Sequence, residues 1–309
     1  MSDIAPPRIV VAGSANMDLV GLAERLPQPG ETVLGDGFVM TPGGKGANQA
    51  IAAARAGGRC TFLGAIGSDS FGVTINARLT ASGVDTAGMR TSYGTSGVAV
   101  IMVDRAGENA ILVSPGANST FIDLTPDERA VIAAGDVLLL QQEIPVATVI
   151  AAAEAGQAGG TRVILNAAPA RELPAELLAA VDLLVVNEVE AQAITGRGEP
   201  DMDALLEAVP RVVLTLGGEG AWYADRDGRS ERVPPFRVDV ADTTAAGDAF
   251  TAALAVAWGE GRDLVDSVRW ANAAGAACVR KVGASNSLPT RADIEALYVS
   301  SERSRPVGS

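Results

Sequence analysis

Val137-Leu138-Leu139-Leu140-Gln141-Gln142-Glu143 is a short apolar run that stops abruptly at polar residues. The pattern returns at 162–165, ending in Asn166, at 182–186, ending in Asn187, and at 211–216, running into Gly217-Gly218-Glu219-Gly220. Runs this short, rich in Val, Ile and Leu, read as strands buried on both faces. Between them lie Ala-rich or Glu/Leu-rich segments of helical character at 146–155, 174–180 and 188–194. Buried strands alternating with helices predict an α/β fold, a parallel sheet covered on both faces. The segments 8–13 and 60–66 are expected to join that sheet.

Outward from this centre the pattern changes. Segments 18–23, 32–39, 98–104 and 109–114 are strand-like, and Asp104-Arg105-Ala106-Gly107-Glu108 reads as a hairpin turn between the last two. They predict a small separate sheet, suited to a lid or an association surface, although an edge extension of the main sheet fits them too. Toward the C-terminus helices are expected at 245–258, 264–279 and 291–299, with 300–309 frayed. The whole reads as one domain with lid strands from about 17–40 and 98–115.

Composition narrows the chemistry. The formal charge of −13 over 309 residues opposes nucleic acid and anionic membranes as partners, and requires a local positive or dipolar site for any anionic substrate. The sequence contains no histidine, which removes Ser-His-Asp hydrolysis, His-ligated zinc and histidine bases. Cys60 and Cys278 have no metal spacing and read as buried thiols. The start, Met-Ser-Asp-Ile-Ala-Pro-Pro, lacks a signal-peptide pattern, and no run approaches the ~20 apolar residues of a membrane span, so the expected location is the cytoplasm.

In open α/β sheets ligands bind beyond the carboxyl ends of the strands. Gln141, Gln142, Glu143, Asn166, Asn187, Glu188, Glu190 and the 217–220 glycines all fall there. An Asn at a strand end is individually most often a helix cap or turn residue; together these residues point to a site along one rim. Pro42-Gly43-Gly44-Lys45-Gly46-Ala47-Asn48-Gln49 is not a P-loop, since the spacing fails and Gly46 stands where Ser or Thr belongs. It reads as a turn into a helix with close backbone approach to a ligand, Lys45 and Asn48 offering donors; taken by itself, a plain loop-to-helix turn with a solvated lysine is the stronger reading. The sharper segment is Asp242-Thr243-Thr244-Ala245-Ala246-Gly247-Asp248. Thr243 or Thr244 is placed to cap a helix whose first N–H groups, at 245 to 247, stay bare behind small side chains, and such a helix start holds anions. Asp248 in the first turn either complements the dipole or serves as base for a hydroxyl nucleophile.

These two segments resemble the two signatures of the ribokinase family of carbohydrate kinases. The likeness extends through Gly13-Ser14-Ala15-Asn16-Met17-Asp18, Pro29-Gly30-Glu31-Thr32, Asn166-Ala167-Ala168-Pro169-Ala170, Asn187-Glu188-Val189-Glu190 and Thr215-Leu216-Gly217. Asn16, Asp18 and 44–48 resemble the ribose-phosphorylating members more than fructokinases or adenosine kinases. The resemblance implies a three-layer α/β/α fold with a mostly parallel sheet, a small β-sheet lid, and a homodimer formed through it. It implies transfer of the γ-phosphate of ATP to the 5-hydroxyl of D-ribose, with Asp248 as base and Ala245, Ala246 and Gly247 as anion hole. An ordinary Asp pKa near 3.9 would suffice if proton transfer is late. The sugar would be held by Asn16, Asp18, Gly44, Lys45, Asn48 and Glu143, and the nucleotide by Asn187, Thr215, Gly217, Gly220 and Asn272. Glu190 with Asn187 would place Mg²⁺ through water. A monovalent cation, K⁺, would be held by Asp242, Ser287 and the carbonyls of Thr244, Cys278, Lys281 and Gly283. Thr244, Ala252 and Asn286 depart from the family's commoner residues. The competing readings are a kinase of 2-deoxyribose, another sugar or a nucleoside, and a non-catalytic sugar-binding regulator; a nicotinamide dehydrogenase lacks its glycine fingerprint.

Overall fold

A computed structural model describes residues 5–302. The central sheet has eight strands. Six of them are parallel: β1 (Arg8–Ala12), β4 (Arg59–Leu63), β9 (Val137–Leu140), β10 (Arg162–Asn166), β11 (Leu183–Asn187) and β12 (Arg211–Thr215). The hairpin β13 (Ala221–Asp225) and β14 (Ser230–Val233) closes one edge antiparallel, giving the order β14-β13-β12-β11-β10-β9-β1-β4. A second sheet, ordered β3-β2-β7-β8, is built from β2 (Asn16–Ala23), β3 (Gly35–Gly43), β7 (Gly97–Val103) and β8 (Asn109–Ser114). The expected segment 60–66 is divided: its end lies in β5 (Ala65–Gly67), which leaves the main sheet and pairs with β6 (Arg90–Ser92). Gly64 makes the break, since a Cβ there would meet the Gly13 carbonyl oxygen at 2.5 Å.

Every strand residue from Val137 to Leu140 is 0% exposed, so the apolar runs are buried on both faces. Side chains alternate between two cores, as the two-residue period of a strand requires. Ile9, Val11, Val137, Leu139, Ile164 and Val185 point into one. That core is closed by α1 (Lys45–Arg55), α8 (Ala246–Gly259) and α9 (Leu264–Cys278). Val10, Leu138, Leu140, Val163, Leu184 and Leu214 point into the other, covered by α3 (Pro126–Ala133), α4 (Val146–Gly159), α5 (Ala175–Ala179) and α7 (Met202–Ala208). A fully buried Leu or Ile contributes roughly 1.5–3 kcal/mol, which explains why the sheet centre tolerates no polar side chain before its carboxyl rim.

Three helices longer than four residues have no counterpart in the sequence reading: α2 (Ser70–Ala81), α3 and α7. Each has a side-chain cap, from Asp69, Thr125 and Asp201 respectively. The remaining helices are α6 (Glu188–Thr195), the short α10 (Ala284–Ser287) and α11 (Arg291–Glu302). Within the expected frayed tail, 300–302 belong to α11, and 303–309 lie outside the described residues.

Candidate active site

The first signature is helix rather than loop. α1 starts at Lys45, and Gly44 stands before it at φ 90°, where a Cβ would lie 2.8 Å from the Asn16 amide nitrogen. That backbone conformation and that clearance both call for glycine. A Cβ on Gly46 would meet the Ser14 nitrogen at 2.6 Å. Lys45, Asn48 and Gln49 consequently share one helix face, at spacings of three and four residues, pressed against the end of β1.

That face meets α8. Asn48 Nδ2 donates to Asp248 Oδ2 at 3.2 Å, and Gln49 Nε2 donates to Asp248 Oδ1 at 3.0 Å. Asp248 is 7% exposed. Burial pushes its carboxyl above the ordinary value, opposed by the Lys45 ammonium and the two amide donors and assisted by Glu143. The expectation of an unperturbed acid is thereby corrected: a carboxylate in an enclosed cluster of carboxylates is harder to ionise than one in water. Lys45 itself is lowered by burial, but the carboxylates of Asp248, Glu143 and Glu190 outweigh that and hold it above its usual range.

Glu143, beyond β9, accepts from Ser14 Oγ at 2.5 Å and from the Lys45 amide at 3.1 Å. Asn16 and Asp18 lie at the start of β2, 2% and 8% exposed. Asp18 is pushed up to about 7 by burial and by the neighbouring Glu143 and Asp248 carboxylates. The sequence reading missed Asn118, which donates to Asn16 Oδ1 at 2.7 Å and accepts from the Ala15 amide at 2.9 Å. It sits in a short 3₁₀ turn at 116–120, where no sequence signal marks a role. Gln141 and Gln142, expected on the rim, are instead 0% and 1% exposed, and Gln141 Nε2 donates to Gln49 Oε1 at 2.6 Å.

The start of α8 also differs from expectation. Neither threonine caps it: the Thr244 hydroxyl and amide both bind Asp242 Oδ1, at 2.6 and 2.8 Å, because that carboxylate is two residues away. The N-cap is Ala245, in the left-handed region at φ 61°. Of the three expected bare N–H groups, that of Ala246 is taken by the Thr243 carbonyl at 3.2 Å. Gly247 and Asp248 retain N–H groups without a main-chain acceptor among the described residues.

Behind Gly247 opens a cleft of about 580 Å³. Thr215, Gly217, Gly220 and Asn272 line it, as does Gly247. The sequence reading missed the apolar wall from Phe236, Val238 and Val240, and the cation Arg237, because 234–245 forms no regular element to announce them; Val279, at the end of α9, completes that wall. Asn187 is absent from this lining. It caps α6: Asn187 Oδ1 accepts from the Glu190 amide and Glu190 Oε2 accepts from the Asn187 amide, both at 2.8 Å. Burial raises the Glu190 carboxyl, with the Asn187 amide and Lys45 opposing. Among the described residues no three His, Cys, Asp or Glu side chains converge as a metal cage, so a divalent ion here would share its coordination with phosphate oxygens and water.

On the far side of the α8 start, Asp242 Oδ2 accepts from the Gly283 amide at 2.8 Å. Cys278 Sγ lies 3.7 Å from the Thr244 carbonyl and 3.1 Å from Ser287 Oγ, and the Cys278 carbonyl accepts from the Lys281 amide at 3.2 Å. The Lys281 ammonium turns outward, 3.9 Å from Asp293. Asp242, Thr244, Cys278, Gly283 and Ser287 are thus linked to one another beside the α8 start, with the Lys281 ammonium directed elsewhere.

The sequence profile of the pfkB family carbohydrate kinases matches residues 6–291. The chain belongs to this family. It is 38% identical over 293 residues to a ribokinase of Haemophilus influenzae, covering 92% of this chain and 95% of that one. It is 39% identical over 297 residues to a ribokinase of Bacillus subtilis, covering 94% and 98%. The structure of Arabidopsis thaliana ribokinase complexed with ribose and ATP superposes with a TM-score of 0.88 at 33% identity, covering 95% of this chain and 99% of that one. The family assignment makes the protein a carbohydrate kinase, and the three-layer fold with its small second sheet is the fold of these relatives.

Proposed function

We propose that this carbohydrate kinase transfers the γ-phosphate of ATP to the 5-hydroxyl of D-ribose, giving ribose 5-phosphate and ADP. One observation carries the reading: the first turn of α8 belongs to both halves of the site. Gly247 forms part of the cleft wall, while the next residue, Asp248, turns to Asn48 and lies among the charges of Asp18, Lys45 and Glu143, where the sugar residues are expected. A hydroxyl in that pocket and a phosphate at the helix start would be brought into line across a single peptide unit. Asp248 accepts the hydroxyl proton, and the Gly247 and Asp248 N–H groups stabilise charge on the transferring phosphoryl group. Thr215, Gly217, Gly220 and Asn272 hold the nucleotide, and Gly44 allows the sugar to approach the backbone.

The charges of the pocket favour a neutral sugar. Asp248, Glu143 and Glu190 act on Lys45, and Asp18 lies beside Glu143 and Asp248, an arrangement that accepts hydrogen bonds from several hydroxyls and repels a substrate already phosphorylated. The relatives named ribokinase, and the Arabidopsis structure holding ribose and ATP, support ribose among the pentoses. Mg²⁺ arriving with ATP neutralises phosphate charge when bound, with Glu190 and Asn187 nearby to order its water. K⁺ would be held by Asp242, Ser287 and the carbonyls of Thr244, Cys278, Lys281 and Gly283, next to the helix start. The second sheet acts as a lid over the sugar and pairs two subunits, and the enzyme works in the cytoplasm, where ATP is supplied. No helix among the described residues is long and apolar enough to cross a membrane.

The test is ADP release with Mg²⁺ and K⁺ across ribose, 2-deoxyribose, fructose and adenosine. Ribose is expected to give the largest kcat/KM. A preference for 2-deoxyribose or adenosine would replace the substrate assignment, and release with none of them would leave the regulator reading.

A further inference from the structure

We infer that Gln49 is a positioning residue for phosphoryl transfer: its buried side-chain amide orients the Asp248 carboxylate toward the sugar hydroxyl. The inference rests on the proposed role of Asp248 as base. Asp248 has two side-chain anchors, Gln49 on Oδ1 at 3.0 Å and Asn48 on Oδ2 at 3.2 Å. Asn48 is a proposed sugar contact, so in this reading Oδ2 is the oxygen offered to the sugar hydroxyl and Oδ1 the one held in place. Gln49 is 0% exposed, so neither water nor substrate substitutes for it at Oδ1.

The orientation of the Gln49 amide is determined by its neighbours. Its Oε1 accepts from Gln141 Nε2 at 2.6 Å, while its Nε2 spends one hydrogen on Asp248 Oδ1 and the other on Asn166 Oδ1 at 3.1 Å. Turned over, the same amide would set its oxygen against two acceptor oxygens and its nitrogen against a donor. The chain Gln141, Gln49, Asp248 therefore reaches from the end of β9 through α1 to α8, and nothing in the established family chemistry of base and anion hole requires it. The groups facing Asp248 from the surrounding elements are Lys45 on α1, Asp18 on β2, Glu143 after β9, Glu190 on α6 and Cys278 on α9.

The experiment is the pH profile of kcat and kcat/KM for ribose in the wild type, Gln49→Met, Gln49→Glu and Asp248→Asn. Removing the donor makes Asp248 harder to ionise, so the acid limb should move up by about one pH unit in Gln49→Met. In Gln49→Glu, which keeps the shape and places a second carboxylate on the base, it should move further. kcat at pH 7 should fall about tenfold or more while the KM for ribose changes less. Should both Gln49 variants fail to fold, Gln141→Leu, which frees the Gln49 amide to turn, is expected to move the limb in the same direction by a smaller amount. A limb that stays in place in every folded variant, with kcat within about threefold of wild type, overturns the inference and leaves Gln49 as core packing. Asp248→Asn separates the two levels: if it keeps turnover, the base assignment fails; if it is inactive and the Gln49 variants are unmoved, only the role of Gln49 fails.

Discussion

Asn48 Nδ2 lies 3.2 Å from Asp248 Oδ2, although 200 residues separate the two in sequence. The bond joins the start of α1 to the start of α8, so the segment that offers donors to a sugar and the segment that offers N–H groups to a phosphate are held in one rigid arrangement. Both helices pack on the same core beneath the sheet. Proximity of this kind is what phosphoryl transfer chiefly requires, since little covalent chemistry falls to the protein.

Replacing Asp248 by Asn keeps the shape and an acceptor for one of its two amide donors, Gln49 and Asn48, but removes the proton acceptor. kcat should fall by roughly 10²–10⁴, while ribose still binds, as read by calorimetry. A variant with wild-type turnover would sink the base assignment.

The Asp18 carboxyl is pushed up to about 7 in the unliganded protein by burial and by Glu143 and Asp248. Sugar hydroxyls donating to its ionised form would lower that value again. Ribose binding at pH 7 should therefore release a fraction of a proton, seen as a buffer-dependent binding enthalpy, and affinity should weaken as the pH falls below 7. Stability runs the opposite way. A folded value raised above the unfolded one means that the folded state holds its proton longer, so this contribution to stability is lost as the pH rises from about 4 to about 7. Asp18→Asn should abolish the proton release and raise the Tm of the free protein at pH 8 by roughly 2–4 °C. Identical binding enthalpies in all buffers would contradict the linkage.

The fold was legible because each central strand is apolar through its middle and ends at a polar rim, a pattern that burial on both faces imposes. The two glycine-rich segments were legible for a related reason: close backbone approach leaves a composition that nothing else explains. Asn118 was not legible, since an Asn in a short turn looks the same whether or not it orients a neighbour. The cap of α8 was misread because sequence cannot show that Asp242 captures the Thr244 hydroxyl first. Asn187 and Glu190 showed their rim position but not their mutual capping bonds, which follow from the helix that begins there. The cleft wall at 234–245 carries no periodicity, so its lining appears only in three dimensions.

Gly97, at the start of β7, supports the sugar pocket by what it lacks. A Cβ there would lie 2.1 Å from Asn16 Oδ1 and 2.2 Å from Asn118 Nδ2, within the bond that holds Asn16 in place. Gly97→Ala should raise the KM for ribose about tenfold or more, the cost of displacing one well-placed polar contact, with the KM for ATP little changed. Overpacking adds a stability loss of roughly 1–3 kcal/mol, measurable by urea denaturation. Equal effects on both substrates would argue for general loosening instead.

The second sheet presents apolar residues on both faces, and only one of them is turned to the site. Along β2, Asp18 and Val20 lie on the face that includes the sugar pocket, while Leu19 lies on the other. The Leu19 row runs Met40, Leu19, Val100, Leu112 across the four strands, and the neighbouring row on the same face includes Phe38 and Met102. Leu112 is 70% exposed, Phe38 62% and Met40 57%. A contiguous apolar face of this kind is uncommon on a monomer and suits an interface, and a second copy of the same sheet would cover it symmetrically. Leu112→Asp places a charge on the edge strand of that surface, away from the residues proposed to hold the sugar. Sedimentation should then show a monomer where the wild type sediments as a dimer, with a higher KM for ribose because the lid loses its support. A wild type that is monomeric at all accessible concentrations would overturn the dimer and require another cover for this face.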